Sequence, residues 1–122
     1  MSETNNAAKV LFLPRLAELC GATGKGGPQW GAATDDLNLT VLTWSKEQGV
    51  ARDVNNELDV VWIGVEGTAW VQVDDQQYTL EEGSLIVIPR GAARSLRCVS
   101  DQCSYLSMHR KRHGLSIENR LV

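Results

Sequence analysis

Histidine is scarce in this chain: two among 122 residues, both near the C-terminus. A metal centre built on several imidazoles is therefore out of reach, and carboxylates would have to supply the donors. Long apolar runs are missing as well, since nothing approaches the roughly 18 consecutive apolar residues that a membrane-spanning helix needs. Positive charge is not in excess. The net charge of -3 leaves no electrostatic reason to expect nucleic acid or an anionic membrane as a partner. Three cysteines, an odd number, fit a reducing compartment better than a disulfide framework. The opening Met-Ser-Glu-Thr-Asn-Asn has neither the basic nor the apolar region of a signal peptide, so a cytoplasmic location is expected. A phosphate loop is also excluded, because Gly-x4-Gly-Lys-Ser/Thr laid on Gly21 to Pro28 would need glycine at Leu19 and a hydroxyl at Gly26. That glycine-rich stretch reads as a linker.

What is present points to a β-rich domain. Hydrophobic residues at 43% and charged residues at 22% are ordinary for a globular protein, and a chain of this length buries enough surface for one core without staples. Strand signals recur along most of it. Gln29 to Thr34 is a weak strand and Leu37 to Trp44 a strongly alternating one. Asp59 to Val65, Thr68 to Val73, Gln77 to Leu80, Leu85 to Ile88, Ser95 to Cys98 and Ser104 to His109 follow. Proline has no N–H for a ladder, so the strand from Leu85 to Ile88 stops at Pro89. Leu13 to Cys20 has a short amphipathic period that suits one or two helical turns. Cys98 and Cys103 flank Val-Ser-Asp-Gln, a hairpin loop, and read as small buried hydrophobes that face each other across two strands.

The segment Gly83-Ser-Leu-Ile-Val-Ile-Pro89-Arg-Gly91-Ala-Ala-Arg94 resembles the second motif of the cupin superfamily, Gly-x5-Pro-x-Gly-x2-His. Upstream, Gly49-Val-Ala-Arg-Asp53-Val-Asn55-Asn-Glu57-Leu-Asp59 can be laid on the first motif, with Asp53 and Asn55 where two histidines would stand and Asp59 where a glutamate would. The chain is similar over roughly residues 30 to 118 to small bacterial single-domain cupins of no settled function. The resemblance implies an all-β fold, a cupin-type double-stranded β-helix or jelly-roll barrel with a short N-terminal helical segment. Its divisions would be residues 1–28 as N-terminal segment and linker, 29–118 as barrel and 119–122 as tail. It also implies a departure from the family's chemistry. Arg94 stands where the metal-binding histidine would be, and a guanidinium stays protonated with no lone pair to give.

Side chains two apart on an extended strand share a face. A strand regular from Asp53 onward would thus aim Asp53, Asn55, Glu57, Asp59, Val61 and Ile63 into the lumen. Arg94 would then pair with Asp53 or Asp59, because a buried charge without a partner costs several kcal/mol. The favoured function is a small-molecule-binding barrel, without cofactor, that holds a small polar ligand through Asp53, Asn55, Asp59 and Arg94, with Trp44 or Trp70 as an apolar wall. These residues could equally just satisfy one another at the rim. Two alternatives stand beside that function. One is a metal-dependent dioxygenase or isomerase with a carboxylate-rich site, using Asp53, Asp59 and His109 around Fe, Mn or Zn. The other is a non-catalytic structural or interaction dimer. If Leu106 and Met108 are core, His109 points away from the lumen. If Val61 and Ile63 face the lumen, Trp62 lies on the outer sheet and needs cover. That cover would be a second subunit in a homodimer or the N-terminal segment with Phe12 and Leu16. The run His109-Arg-Lys-Arg-His113 reads as a solvated face or an anion site.

Overall fold

Alternating apolar and polar residues resolve into nine strands in a computed structural model that describes residues 9–21 and 26–111. The strands are β1 (Gly27–Ala33), β2 (Leu37–Ser45), β3 (Gly49–Val54), β4 (Val60–Glu66), β5 (Thr68–Val73), β6 (Gln76–Glu81), β7 (Leu85–Ile88), β8 (Ala93–Cys98) and β9 (Gln102–Arg110). A single 3-10 turn, η1 (Leu16–Leu19), stands where the amphipathic period suggested a helix. Four residues are too few to close a stable α-helix, and Arg15 at its start is extended with no side-chain cap.

Two antiparallel sheets face each other in the order β1-β2-β9-β4-β7 and β3-β8-β5-β6. Their inner faces make one core. Trp62, Val60 and Tyr105 from the larger sheet meet Val71, Leu96 and Cys98 from the smaller. The rings of Trp62 and Tyr105 lie 5.1 Å apart at 51°, a tilted pair worth about 0.5–1.5 kcal/mol beyond area burial. Where β4 crosses β6, Gly64 allows the close approach: a Cβ there would strike the backbone of Glu81, and the glycine's N–H and C=O bond to Ser84 and Gly83.

Two expectations about faces are reversed. Trp62 is only 4% exposed and belongs to the core, so it is neither on the outer sheet face nor in need of a second subunit. Its neighbours Val61 and Ile63 point outward instead. The assumed continuous strand from Asp53 to Ile63 does not exist. β3 ends at Val54, five residues turn, and β4 begins at Val60 with its phase reset. β9 is out of phase with expectation for the same reason. Tyr105 is the inward residue, placing Ser107 and His109 opposite Trp62 and Val60 on the inner face while Leu106 and Met108 pair outward with Ile63 and Val61. His109 thus faces inward, contrary to the alternation drawn from Leu106 and Met108.

Cys98 and Cys103 are both buried free thiols, the Cys98 thiol donating to the Ser100 carbonyl at 3.3 Å, and Cys20 is a third buried one. Burial pushes the Cys20 and Cys103 thiols up from their ordinary range, so these two behave as small apolar fillers. Among the described residues no helix is long and apolar enough to cross a membrane. The linker residues 22–25 and the basic run beyond Lys111, His113 included, lie outside the described residues.

Candidate functional site

The turn Pro89-Arg90-Gly91 between β7 and β8 is fastened to the loop between β3 and β4 from both sides. Gly91, whose φ of +89° suits a residue without Cβ, donates its N–H to the Asn55 carbonyl at 2.7 Å. Arg90 donates its N–H to Asp59 Oδ1 at 2.9 Å. Asn55 Oδ1 in turn accepts from the N–H groups of Glu57 and Leu58 at 2.8 and 3.0 Å, closing the loop on itself. Two residues after that turn, β8 begins. Ala93 donates its N–H to Asp74 Oδ1 and accepts from Asp74 N–H. The next residue, Arg94, is therefore held by backbone on both flanks, opposite Asp53 of β3 and Val73 of β5.

This frame gathers three of the four residues named from the sequence. Asp53, Asn55 and Arg94 line one cleft of about 330 Å³ together with Val54, Asn56 and Glu57. Asp59 is not among them. It caps the Pro-x-Gly turn and faces a separate cleft with Arg90, Met108 and Arg110. It drops out because the turn over residues 55–59 breaks the alternation that would have aligned it with Asp53.

The electrostatics of the cleft centre on Arg94. Its side chain is half-buried, and its Nε is fully buried without a hydrogen-bond partner among the described residues. Asp53 sits across the ladder but is exposed, and among the described residues no ion pair joins Arg94 to Asp53 or Asp59. The rim pairing expected from the sequence is thus not made. Arg94 also bears on the barrel interior. The Tyr105 hydroxyl accepts from Trp44 Nε1 at 3.2 Å, and burial drives its pKa upward while the Trp44 bond and the nearby Arg94 charge pull back. Trp44 consequently serves as an interior wall with its polar edge already engaged.

Trp70, the other proposed wall, lies elsewhere. It is 40% exposed on the outer face of the four-stranded sheet, with the Arg97 guanidinium 5.2 Å over its ring. Arg97 also meets Glu47 at 3.8 Å. The open groove around them, about 550 Å³, is larger than the Arg94 cleft. Its charged groups answer one another, however, whereas Arg94 Nε is answered by none of the described residues. The sequence signal for the site was the Pro-x-Gly turn leading to position 94. The inward His109 had a signal too, in the registration of Tyr105 rather than Met108 with the core.

No protein-family model matches this sequence, and no curated protein matches it significantly. Solved structures do match. A conserved protein of unknown function from Streptococcus pyogenes shares 24% identity at a TM-score of 0.69, covering 89% of this chain and 94% of its own. A cupin superfamily protein from Desulfitobacterium hafniense DCB-2 shares 17% at 0.71, covering 86% and 100%. KdgF from Halomonas sp. shares 15% at 0.71, covering 89% and 99%.

Proposed function

We propose that this chain, a small barrel of the cupin fold, binds a small organic anion at the mouth of the barrel with Arg94 as the anchoring charge. The observation that carries the reading is the Arg94 guanidinium: a cation whose Nε is buried and unpartnered, in a cleft where the carboxylate opposite remains in solvent. Desolvating part of a charge without pairing it is unfavourable. A site that tolerates this cost in the free protein is arranged for a partner of opposite sign. A carboxylate fits the planar fork of donors that arginine presents. The Asn55 carboxamide has its oxygen committed to the loop, leaving its NH2 group as a second donor. Asp53 is placed to accept from a hydroxyl or amine carried by the ligand. At about 330 Å³ the cleft is at the lower end of ordinary ligand sites and suits a molecule of few heavy atoms.

The metal that the cupin resemblance implies does not fit this donor set. A protonated guanidinium occupies the position of a histidine ligand, and an amide oxygen already accepting two N–H bonds occupies another. Among the described residues no group of three His, Cys, Asp or Glu side chains converges. The ligand is therefore held by protein donors alone in this reading.

The test is titration calorimetry with malate, citrate, gluconate and inorganic phosphate, against their uncharged amide or ester counterparts where these exist. Binding of a carboxylate by the wild type, absent for its neutral counterpart and lost in Arg94→Met, is the expected result. Equal binding of charged and neutral forms, or full retention of binding by Arg94→Met, would overturn the proposal.

A further inference from the structure

The four-stranded sheet meets the core through Ala69, Val71, Leu80 and Leu96, so the residues that alternate with them stand outward. Register sets these in two rows. Thr79, Trp70, Arg97 and Gly49 cross the sheet side by side, and next to them run Gln77, Gln72 and Ser95. At the far end β3 bulges between Val50 and Asp53, and only Gly49 and Ala51 border the groove there. Gly49 is required by the strand packing itself, since a Cβ would strike the Leu96 carbonyl. Small residues thus lie opposite a large aromatic one, with about 550 Å³ of groove between them.

The indole is braced. Arg97 lies over the Trp70 ring at 5.2 Å and meets Glu47 at 3.8 Å. Glu47 itself adopts a φ of +74°, which a residue with a Cβ rarely does. Its N–H donates to the Cys98 carbonyl, and the Cys98 N–H donates to the Gln48 carbonyl, both at 2.8 Å, so the turn is clamped to the end of β8. Trp70 nevertheless stays 40% exposed. A large ring held in place by its neighbours and left open to water is a ready contact plate.

We infer that this groove is a second binding site, for a neutral saccharide. Charge argues for that occupant. Among the described residues that line the groove, Glu47 and Arg97 are the charged ones, and each answers the other. Neither an anion nor a cation finds an uncommitted partner there. A single nucleic acid strand also stacks on aromatic rings, but it needs a cationic track for its backbone, and the guanidinium here is already engaged. A sugar ring combines an apolar C–H face, which suits the indole, with an edge of hydroxyls that both donate and accept. The groove supplies the complement. Gln72 commits its amide N–H to the Asp74 carbonyl and keeps its oxygen as an acceptor, while the side chains of Gln77 and Ser95 have no hydrogen-bond partner among the described residues. Amides and hydroxyls bond to hydroxyls in either sense, and the volume is ordinary for a small-molecule site.

The test is an NMR titration of nitrogen-labelled protein with cellotetraose, xylotetraose, maltotetraose and N-acetylated chitotetraose. Backbone N–H signals of Gln72 and Arg97 are expected to shift with at least one of them, and added salt should leave the affinity unchanged. Trp70→Thr should weaken that binding about tenfold or more. Gln77→Ala should weaken it several-fold, and because Gln77 is exposed its loss leaves the barrel folded. No shift with any of the four sugars, or wild-type affinity in both variants, would overturn the inference. So would binding confined to oligogalacturonate or a thymidine oligonucleotide and abolished by salt, or shifts centred on Asn55 and Arg94, which would place the sugar at the barrel mouth.

Discussion

Replacing Arg94 with methionine should make the ligand-free protein more stable. The cause is the Nε atom, which is fully buried and, among the described residues, bonded to nothing. An unsatisfied buried donor costs about 1–3 kcal/mol, and because the rest of the side chain is only half-buried the lower end applies, about 1 kcal/mol. Methionine keeps an unbranched apolar stem of similar reach in the same space, with no donor to strand. For a chain of this size a gain of about 1 kcal/mol raises Tm by roughly 3–6 °C. The measurement is thermal or urea unfolding in a buffer free of carboxylate and phosphate, followed by the same experiment with a bound anion. With ligand present at about 100 times its Kd, the wild type gains about 2.7 kcal/mol by mass action, so the order of the two proteins should invert. A ligand-free Arg94→Met less stable than the wild type would refute the argument, since it would mean that Arg94 is satisfied in the native state.

Other outcomes follow from the same structure. Trp62→Ala should cost about 3–5 kcal/mol in urea titration, as expected for emptying a core aromatic site, and Trp62→Glu should unfold the chain rather than yield a folded monomer. Asn55→Ala removes the acceptor of two loop N–H bonds and should lower stability by about 1–2 kcal/mol while weakening anion binding, both read by calorimetry. Alkaline stability should fall from about pH 9 upward. The Cys103 thiol and the Tyr105 phenol ionise less readily when folded than at their ordinary values of 9.0 and 10.0, so above those values the unfolded chain sheds protons that the native state retains. Each group then contributes a decline of up to about 1.4 kcal/mol per pH unit. Tyr105→Phe should flatten the decline above pH 10, as followed by circular dichroism. An unaltered slope would mean that the phenol titrates freely in the folded barrel.

Strand positions were readable because alternation and breakers are local properties. Thr68–Val73 and Leu85–Ile88 stand as the sequence predicts, and most others shift by one or two residues. Pro89 and Gly91 announced the turn that delivers Arg94, and they do so by backbone chemistry that needs no neighbour. Which way each strand faced was less accessible. Val60 to Val65 is apolar at almost every position, so alternation alone left two phases open, and the wrong one placed Trp62 outside and Val61 inside. β9 carried the same ambiguity, with Leu106 and Met108 as plausible a core as Tyr105.

Sequence alone determined an all-β domain and the turn before position 94, because each is a property of the residues themselves or of their nearest neighbours, and the resemblance of the Gly-Pro-Gly motif implied a guanidinium where a metal ligand would stand. The tertiary structure decided the rest. Only the packing of Trp62 on Tyr105 set the phase of β4 and β9, and with it which apolar row is core and which is surface. Only the fastening of residues 55–59 to the Pro-x-Gly turn separated Asp59 from Asp53. Only the position of β3 beside β8 showed that Asp53 faces solvent while Arg94 Nε goes unanswered. Each outcome depends on contacts between strands distant in sequence, and a strand's two faces are chemically distinguishable only once its partners are in place.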